Sequence, residues 1–131
     1  MLRSLSAVFA ALFLLGAVVQ LNDPDPLRWI LLYLVAATAS LLAAAGRNHW
    51  ALPAATALFA LVWAVTLAPG VFGIVRASEL VAAWEMKDSG VEEGREMYGL
   101  LIVSSWMAVL TLAAIRKRRS MGSAGAASVR S

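Results

Sequence analysis

Residues 4–26 read SLSAVFAALFLLGAVVQLNDPDP, and the fold is decided there. From residue 4 to residue 22 no Asp, Glu, Lys or Arg interrupts the chain. A helix rising about 1.5 Å per residue needs roughly 20 such residues to cross the hydrocarbon core of a bilayer. The stretch is therefore read as a membrane span, and the turn Asn22-Asp23-Pro24-Asp25-Pro26 ends it. Arg3 ahead of an apolar run also suits a secretory signal. The run is longer than a usual signal core and no small-x-small cleavage pattern follows it, so the span is read as retained.

Working outward, three more charge-free runs cover residues 29–46, 48–75 and 97–115. The third run exceeds one crossing. Pro69-Gly70 is a natural stop, which sets the helix at residues 50–68 with Pro53 in its first turn, where a missing N–H costs little. The expected spans are thus 4–22, 29–46, 50–68 and 96–115. An all-α integral membrane protein follows, a four-transmembrane-helix bundle forming a single domain over residues 1–119. Residues 120–131, rich in Ser, Gly and Ala, read as a disordered tail.

Composition agrees with this class. Of 131 residues, 61% are hydrophobic and 15% charged, against about 45 to 50% and about 25% in soluble domains. Such a length leaves no room for a separate soluble catalytic domain. The absence of cysteine excludes disulfides, thiolate metal sites and a cysteine nucleophile. A formal charge of +3, with the bases gathered at helix ends, gives no footprint for nucleic acid.

The same bases set an orientation. Arg3, Arg47, Arg116, Lys117, Arg118, Arg119 and Arg130 fall on one side of a four-span threading, and Arg28, Arg76, Lys87 and Arg95 on the other. The larger group predicts that both termini are cytoplasmic, and the expected setting is the inner (plasma) membrane of a bacterium. All of Asp23, Asp25, Glu79, Glu85, Asp88, Glu92, Glu93 and Glu96 then lie outside. Small residues four apart, Ala36, Ser40 and Ala44 in the second span and Ala60, Ala64 and Ala68 in the third, predict a close contact between those two helices. Trp29, Trp50 and Trp106 are expected near the interfaces, and Trp63 between helices.

The outer loops hold the candidate site. In the first, Asn22 is placed as a left-handed cap of the first helix. Asp25 is placed as the N-cap of the second, with Pro26 at the first helical position and Arg28 in the first turn. Only Asp23 lacks a structural task. The second loop, residues 69–95, is long enough to fold over the bundle. Ser78 to Trp84 reads as a short interfacial helix, and Ser89 with Glu92 as the capping box of the fourth helix. Glu92, Glu93, Arg95 and Glu96 in that first turn complement the helix dipole. They also start at the membrane face where the first helix ends. Asn22, Asp23, Glu93, Arg95 and Glu96 are therefore the candidate ligand-binding set, with Asp25, Arg28, Trp29 and Glu92 as weaker or structural members. If a metal is bound, its ligands are Asp23, Glu93 and Glu96. His49, beside Trp50, is read as interfacial.

Several of these residues carry a resemblance. Gln20-Leu21-Asn22-Asp23-Pro24-Asp25-Pro26 with Trp29 and Tyr33, then Val62-Trp63-Ala64-Val65, then Glu92-Glu93-Gly94-Arg95-Glu96 with Gly99-Leu100-Leu101-Ile102 and Trp106, together resemble the transmembrane protein 220 family. The resemblance implies a small multi-span protein and a retained first span. It carries over no biochemical activity. Animal members have a His shortly before the Trp63 position, where this chain has Ala, Leu and Phe, so a metal site built on that His is not implied.

Three functions are weighed. The leading one is a structural or accessory membrane component whose acidic face recognises another membrane protein or a second copy of the chain. The alternative is a binder or transporter of a cation, such as a hard divalent ion, or of a small cationic ligand at the outer mouth. Against conduction, the span interiors contain no ionisable acid or base of the kind transporters place at depth. A second alternative is a membrane enzyme using an outer carboxylate as acid or base, although no nucleophile motif is present and no catalytic residue is assigned. No resident cofactor is expected beyond a divalent cation, and the lipid bilayer is the one certain partner.

Overall fold

The computed structural model describes residues 1–23, 25–72 and 89–128, with the side chains of 72, 89–92 and 124–128 outside that description. The described residues are helical throughout apart from short connections. Helix α1 spans Leu2–Val19 and tightens into a 3-10 turn at Gln20–Asn22, α2 spans Pro26–Ala44, α3 Ala51–Phe72 and α4 Ser89–Ser128. Each is long and apolar enough to cross a membrane. The proposed interfacial helix over Ser78 to Trp84, with Glu79, Glu85 and Asp88, lies outside the described residues, as does Pro24, and the side chains of the Ser89–Glu92 capping box lie outside the description.

Each helix buries one stripe. In α1 it is Ser6, Ala10, Phe13 and Ala17; in α4 it is Met97, Leu100, Val103, Met107, Leu110 and Ala114. These spacings of three and four keep the residues on one face. The remaining faces expose Leu5, Val8, Leu12, Leu15, Leu58, Val62, Ile102 and Leu112, which suits a surface covered by acyl chains. Hydroxyls within the helices are turned back onto the carbonyl one turn earlier, Ser6 to Leu2, Thr38 to Leu34, Thr56 to Leu52 and Thr111 to Met107, all at 2.8–2.9 Å. Among the described residues no buried side-chain N or O lacks a partner, as a medium without water demands.

Backbones approach most closely along α1 with α2 and along α3 with α4. The close α2–α3 contact expected from small-residue stripes is not the main packing. Ala36, Ser40, Ala60 and Ala64 are buried, but Ser40 Oγ accepts the Trp106 indole N–H of α4 at 3.0 Å, and Ser104 Oγ of α4 donates to Ala57 O of α3 at 3.0 Å. Where α2 meets α3 the contact is aromatic, with Trp29 stacked on Trp63 at 4.6 Å. Trp106 stacks on Phe9 of α1 at 4.0 Å with the planes 6° apart. Trp29 and Trp106 are therefore buried packing residues, 2% and 5% exposed. A ring stack and, for Trp106, a hydroxyl partner satisfy them inside the bundle.

Two helix ends run past their expected limits. Helix α3 continues through Pro69 to Phe72 because its last turn is packed: Val71 is 3% exposed and belongs to the core. Gly70 lies so close to the Glu93 carboxylate of α4 that a Cβ there would run into it. Helix α4 continues to Ser128, beyond the expected end of the span at residue 115. Ser120 and Ser123 turn their hydroxyls to the carbonyls three residues back, those of Lys117 and Ser120.

At the opposite end α2 closes in a Schellman motif. Gly46, at φ 79°, donates to Ala43 O at 3.0 Å, and Arg47 donates to Leu42 O at 2.8 Å. Arg3 Nε donates to the Ala44 carbonyl at 2.8 Å, so a cation from α1 sits at the negative pole of α2.

Candidate functional site

The turn between α1 and α2 is organised by Asp23. Its backbone is extended, φ −79° and ψ 146°, and its N–H donates to Gln20 O. Its Oδ1 accepts the Asp25 N–H at 3.1 Å, an Asx turn across position 24. Asp23 therefore does have a structural task, contrary to expectation. Asn22 ends the 3-10 turn and, with no positive φ among the described non-glycine residues, is not a left-handed cap. The chain tightens into 3-10 geometry there and needs no such residue. Asp25 occupies the N-cap position of α2 with Pro26 following, but its side chain caps no helix N–H. It accepts from Arg28 at 2.5 Å in an exposed pair, and the Arg28 guanidinium lies 5.7 Å from the centre of the Trp63 ring.

Below this turn Tyr33 crosses the bundle. A Cβ at Gly16 of α1 would touch its ring at 3.5 Å, and a Cβ at Gly99 of α4 would meet its hydroxyl at 3.3 Å. Two glycines on neighbouring helices thus give the ring a slot, and its ring also faces Phe13 at 6.2 Å and Trp29 at 6.3 Å. The Gln20 side chain and Glu96 are the polar neighbours of the phenol. Above it opens a cavity of about 430 Å³ lined by Val19, Gln20, Asn22, Asp23, Trp29, Tyr33, Arg95 and Glu96.

Residues from the two ends of the sequence therefore share one cavity. Asn22, Asp23, Arg95, Glu96 and the weaker candidate Trp29 line it. Glu93 does not, because it points to α3 and rests against Gly70. Asp25 and Arg28 form their pair outside the lining. The side chain of Glu92 lies outside the described residues. Asp23, Glu93 and Glu96 do not gather into a metal centre: among the described residues no three His, Cys, Asp or Glu side chains are grouped to hold an ion. Gln20 and Tyr33 were missed as site residues. Their signals were an amide within an apolar span and a Tyr one helical turn beyond Trp29, on the same face.

A pocket built from the first turn, α2 and the start of α4 can be compared with known proteins over its whole length. The sequence profile of transmembrane family 220 matches residues 12–112, which include every residue lining the cavity. The chain belongs to this family. It is also 33% identical over 111 residues to transmembrane protein 220 of Xenopus laevis, a match covering 80% of this chain and 55% of the frog protein. The chain thus spans about half the length of that curated relative. No solved structure matches. Family membership fixes an integral membrane protein with four candidate spans and brings no cofactor or activity with it.

Proposed function

We propose that this family 220 protein binds a small organic cation, an amine or quaternary ammonium, in the cavity at the α1–α2 turn. The observation that carries this is the lining itself, in which Asp23 and Glu96 stand with Arg95 beside the rings of Trp29 and Tyr33. Two carboxylates against one guanidinium leave a formal charge of −1 on the wall. Aromatic faces attract ammonium groups through their quadrupoles, and the amides of Gln20 and Asn22 supply oriented polar contacts. Concave, partly aromatic cavities with a few convergent polar groups are the usual form of small-molecule sites. The donor set favours an organic cation over a hard divalent ion, which takes about six to eight oxygens.

The excess of bases at the other end supports an orientation with both termini cytoplasmic and the cavity on the outer face. The bacterial setting expected from the sequence gains no support from the frog relative. Binding, not conduction, is proposed, since the spans carry no ionisable acid or base at depth.

The test is ligand-dependent stability of the purified chain in detergent with choline, ethanolamine, putrescine, Ca²⁺ and Mg²⁺ as probes. A ligand present at 100 times its Kd stabilises the folded state by about 2.7 kcal/mol. Choline or one of the amines should shift the transition, and Asp23→Asn with Glu96→Gln should abolish the shift. A shift with none of the three organic cations overturns the proposal.

A further inference from the structure

A second, differently charged site lies at the opposite end of the bundle. A cavity of about 490 Å³ is lined by Trp50, Ile115, Arg118 and Arg119. An adjoining one of about 350 Å³ shares Trp50 and Arg118 and is bounded also by Asn48, His49 and Lys117. We propose that this cleft holds the phosphate of an anionic phospholipid, with the acyl chains lying along the Trp50 and Ile115 wall.

The bases here differ in what they already do. Arg3 is committed to the Ala44 carbonyl, and Lys117 donates to Gly46 O at 3.4 Å. Both serve the C-terminus of α2. Arg118 and Arg119 are exposed on the cavity rim. No carboxylate side chain occurs in residues 26–78 or 97–131, so the sequence around this end offers the two guanidinium groups no acidic partner of its own. Guanidinium groups match phosphate oxygens in a planar, two-pronged geometry.

The other wall explains why a lipid and not a free phosphate is the occupant. Ile115 closes the charge-free run 97–115 and the bases follow at once, which places the guanidinium groups where apolar chains give way to headgroups. One turn back, Leu112 is exposed on the lipid side of α4. Trp50 is 39% exposed at the start of α3, the position of an interfacial anchor. Asn48 holds this connection in place by donating to the Leu110 carbonyl of α4 at 2.8 Å. His49 Nδ1 accepts the Ala51 N–H at 3.4 Å. The cleft is thus a fixed notch with an apolar floor and a cationic rim, and basic pockets between spans at this level suit anionic headgroups.

Trp50 reports on the cleft. The full chain is titrated in detergent with brominated phosphatidylglycerol or brominated phosphatidylcholine, and the quenching that disappears in Trp50→Phe is followed. Half-saturation is expected at an about twenty-five-fold lower level of the anionic lipid, about five-fold for each guanidinium. Arg118→Gln with Arg119→Gln should remove the preference, R118K with R119K should keep most of it, and R119Q alone should lose about five-fold. Equal half-saturation for the two lipids, a preference undiminished in a folded R119Q, or one that survives in the double Gln variant, overturns the proposal. So does full displacement of the lipid by soluble glycerol phosphate, which would make the cleft a free-phosphate site. Because the readout is at the end opposite the amine cavity, it stands or falls independently of the proposed function.

Discussion

Replacing Gly99 by Ala gives the sharpest test of how Tyr33 is held. In a helix interior the change from Gly to Ala is worth about 0.8–1 kcal/mol of stability. At Gly16 the new methyl would meet the Tyr33 ring at 3.5 Å, an ordinary contact, so Gly16→Ala should deliver that gain nearly in full. At Gly99 it would meet the hydroxyl at 3.3 Å, and the phenol has to move by a few tenths of an ångström. That movement displaces a ring packed between helices, and overpacking of this kind costs about 1 kcal/mol. Gain and loss should cancel, leaving Gly99→Ala close to neutral. In a Tyr33→Phe background the oxygen is gone, and the same substitution should stabilise by about 1 kcal/mol. The coupling between positions 33 and 99 is then about 1 kcal/mol, measured as a double-mutant cycle by reversible unfolding in mixed micelles with tryptophan fluorescence. Should Gly99→Ala have the same effect in both backgrounds, within about 0.3 kcal/mol, Tyr33 does not press its hydroxyl on α4 and the floor of the cavity is built differently.

Other packing claims can be checked in the same assay. Gly70→Ala should displace the Glu93 carboxylate, the far end of a flexible side chain, and so stabilise by less than the about 0.8–1 kcal/mol of an unobstructed helix position, with the full gain returning in a Glu93→Ala background. Trp106→Phe should cost about 1 kcal/mol through the lost indole N–H bond to Ser40, and the cost should shrink when Ser40 is already Ala. Gly46→Ala places a Cβ at φ 79° and should cost about 1–2 kcal/mol; a neutral result would argue against the Schellman ending of α2.

How far the sequence could be read differs from feature to feature. Charge-free runs revealed the four helices because water-free surroundings exclude ions over about 20 residues, a long-range and strongly filtered signal. Threading put Asn22, Asp23, Arg95 and Glu96 on one face, since α1 ends and α4 begins there, but left open whether they share a cavity. Periodicity did not separate Glu93 from Glu96. They lie three residues apart on α4, and their different surroundings depend on Gly70 and on the extra turn of α3 beyond Pro69. That turn was hidden because a local rule about Pro and Gly competes with the burial of Val71, which only the partner helix provides. Trp29 and Trp106 were placed near the interface by distance along the helix, and their burial depends on ring partners on α3 and α1. Tyr33 was the hardest to see. Its slot is made by Gly16 and Gly99, residues from opposite ends of the chain, and neither glycine is distinctive in its own helix.

The pairing of the two ends of the chain can be measured most directly by cross-linking, which the absence of native cysteine makes clean. Cysteines would be placed at 23 and 96 and treated with a bismaleimide short enough to reach across a cavity of about 430 Å³, with a 23 and 93 pair for comparison. The arrangement described predicts rapid internal cross-linking of Asp23→Cys with Glu96→Cys and markedly slower reaction of Asp23→Cys with Glu93→Cys, whose site faces α3. Failure of the 23 and 96 pair to react, or equal rates for both pairs, would contradict a shared cavity between the α1–α2 turn and the start of α4.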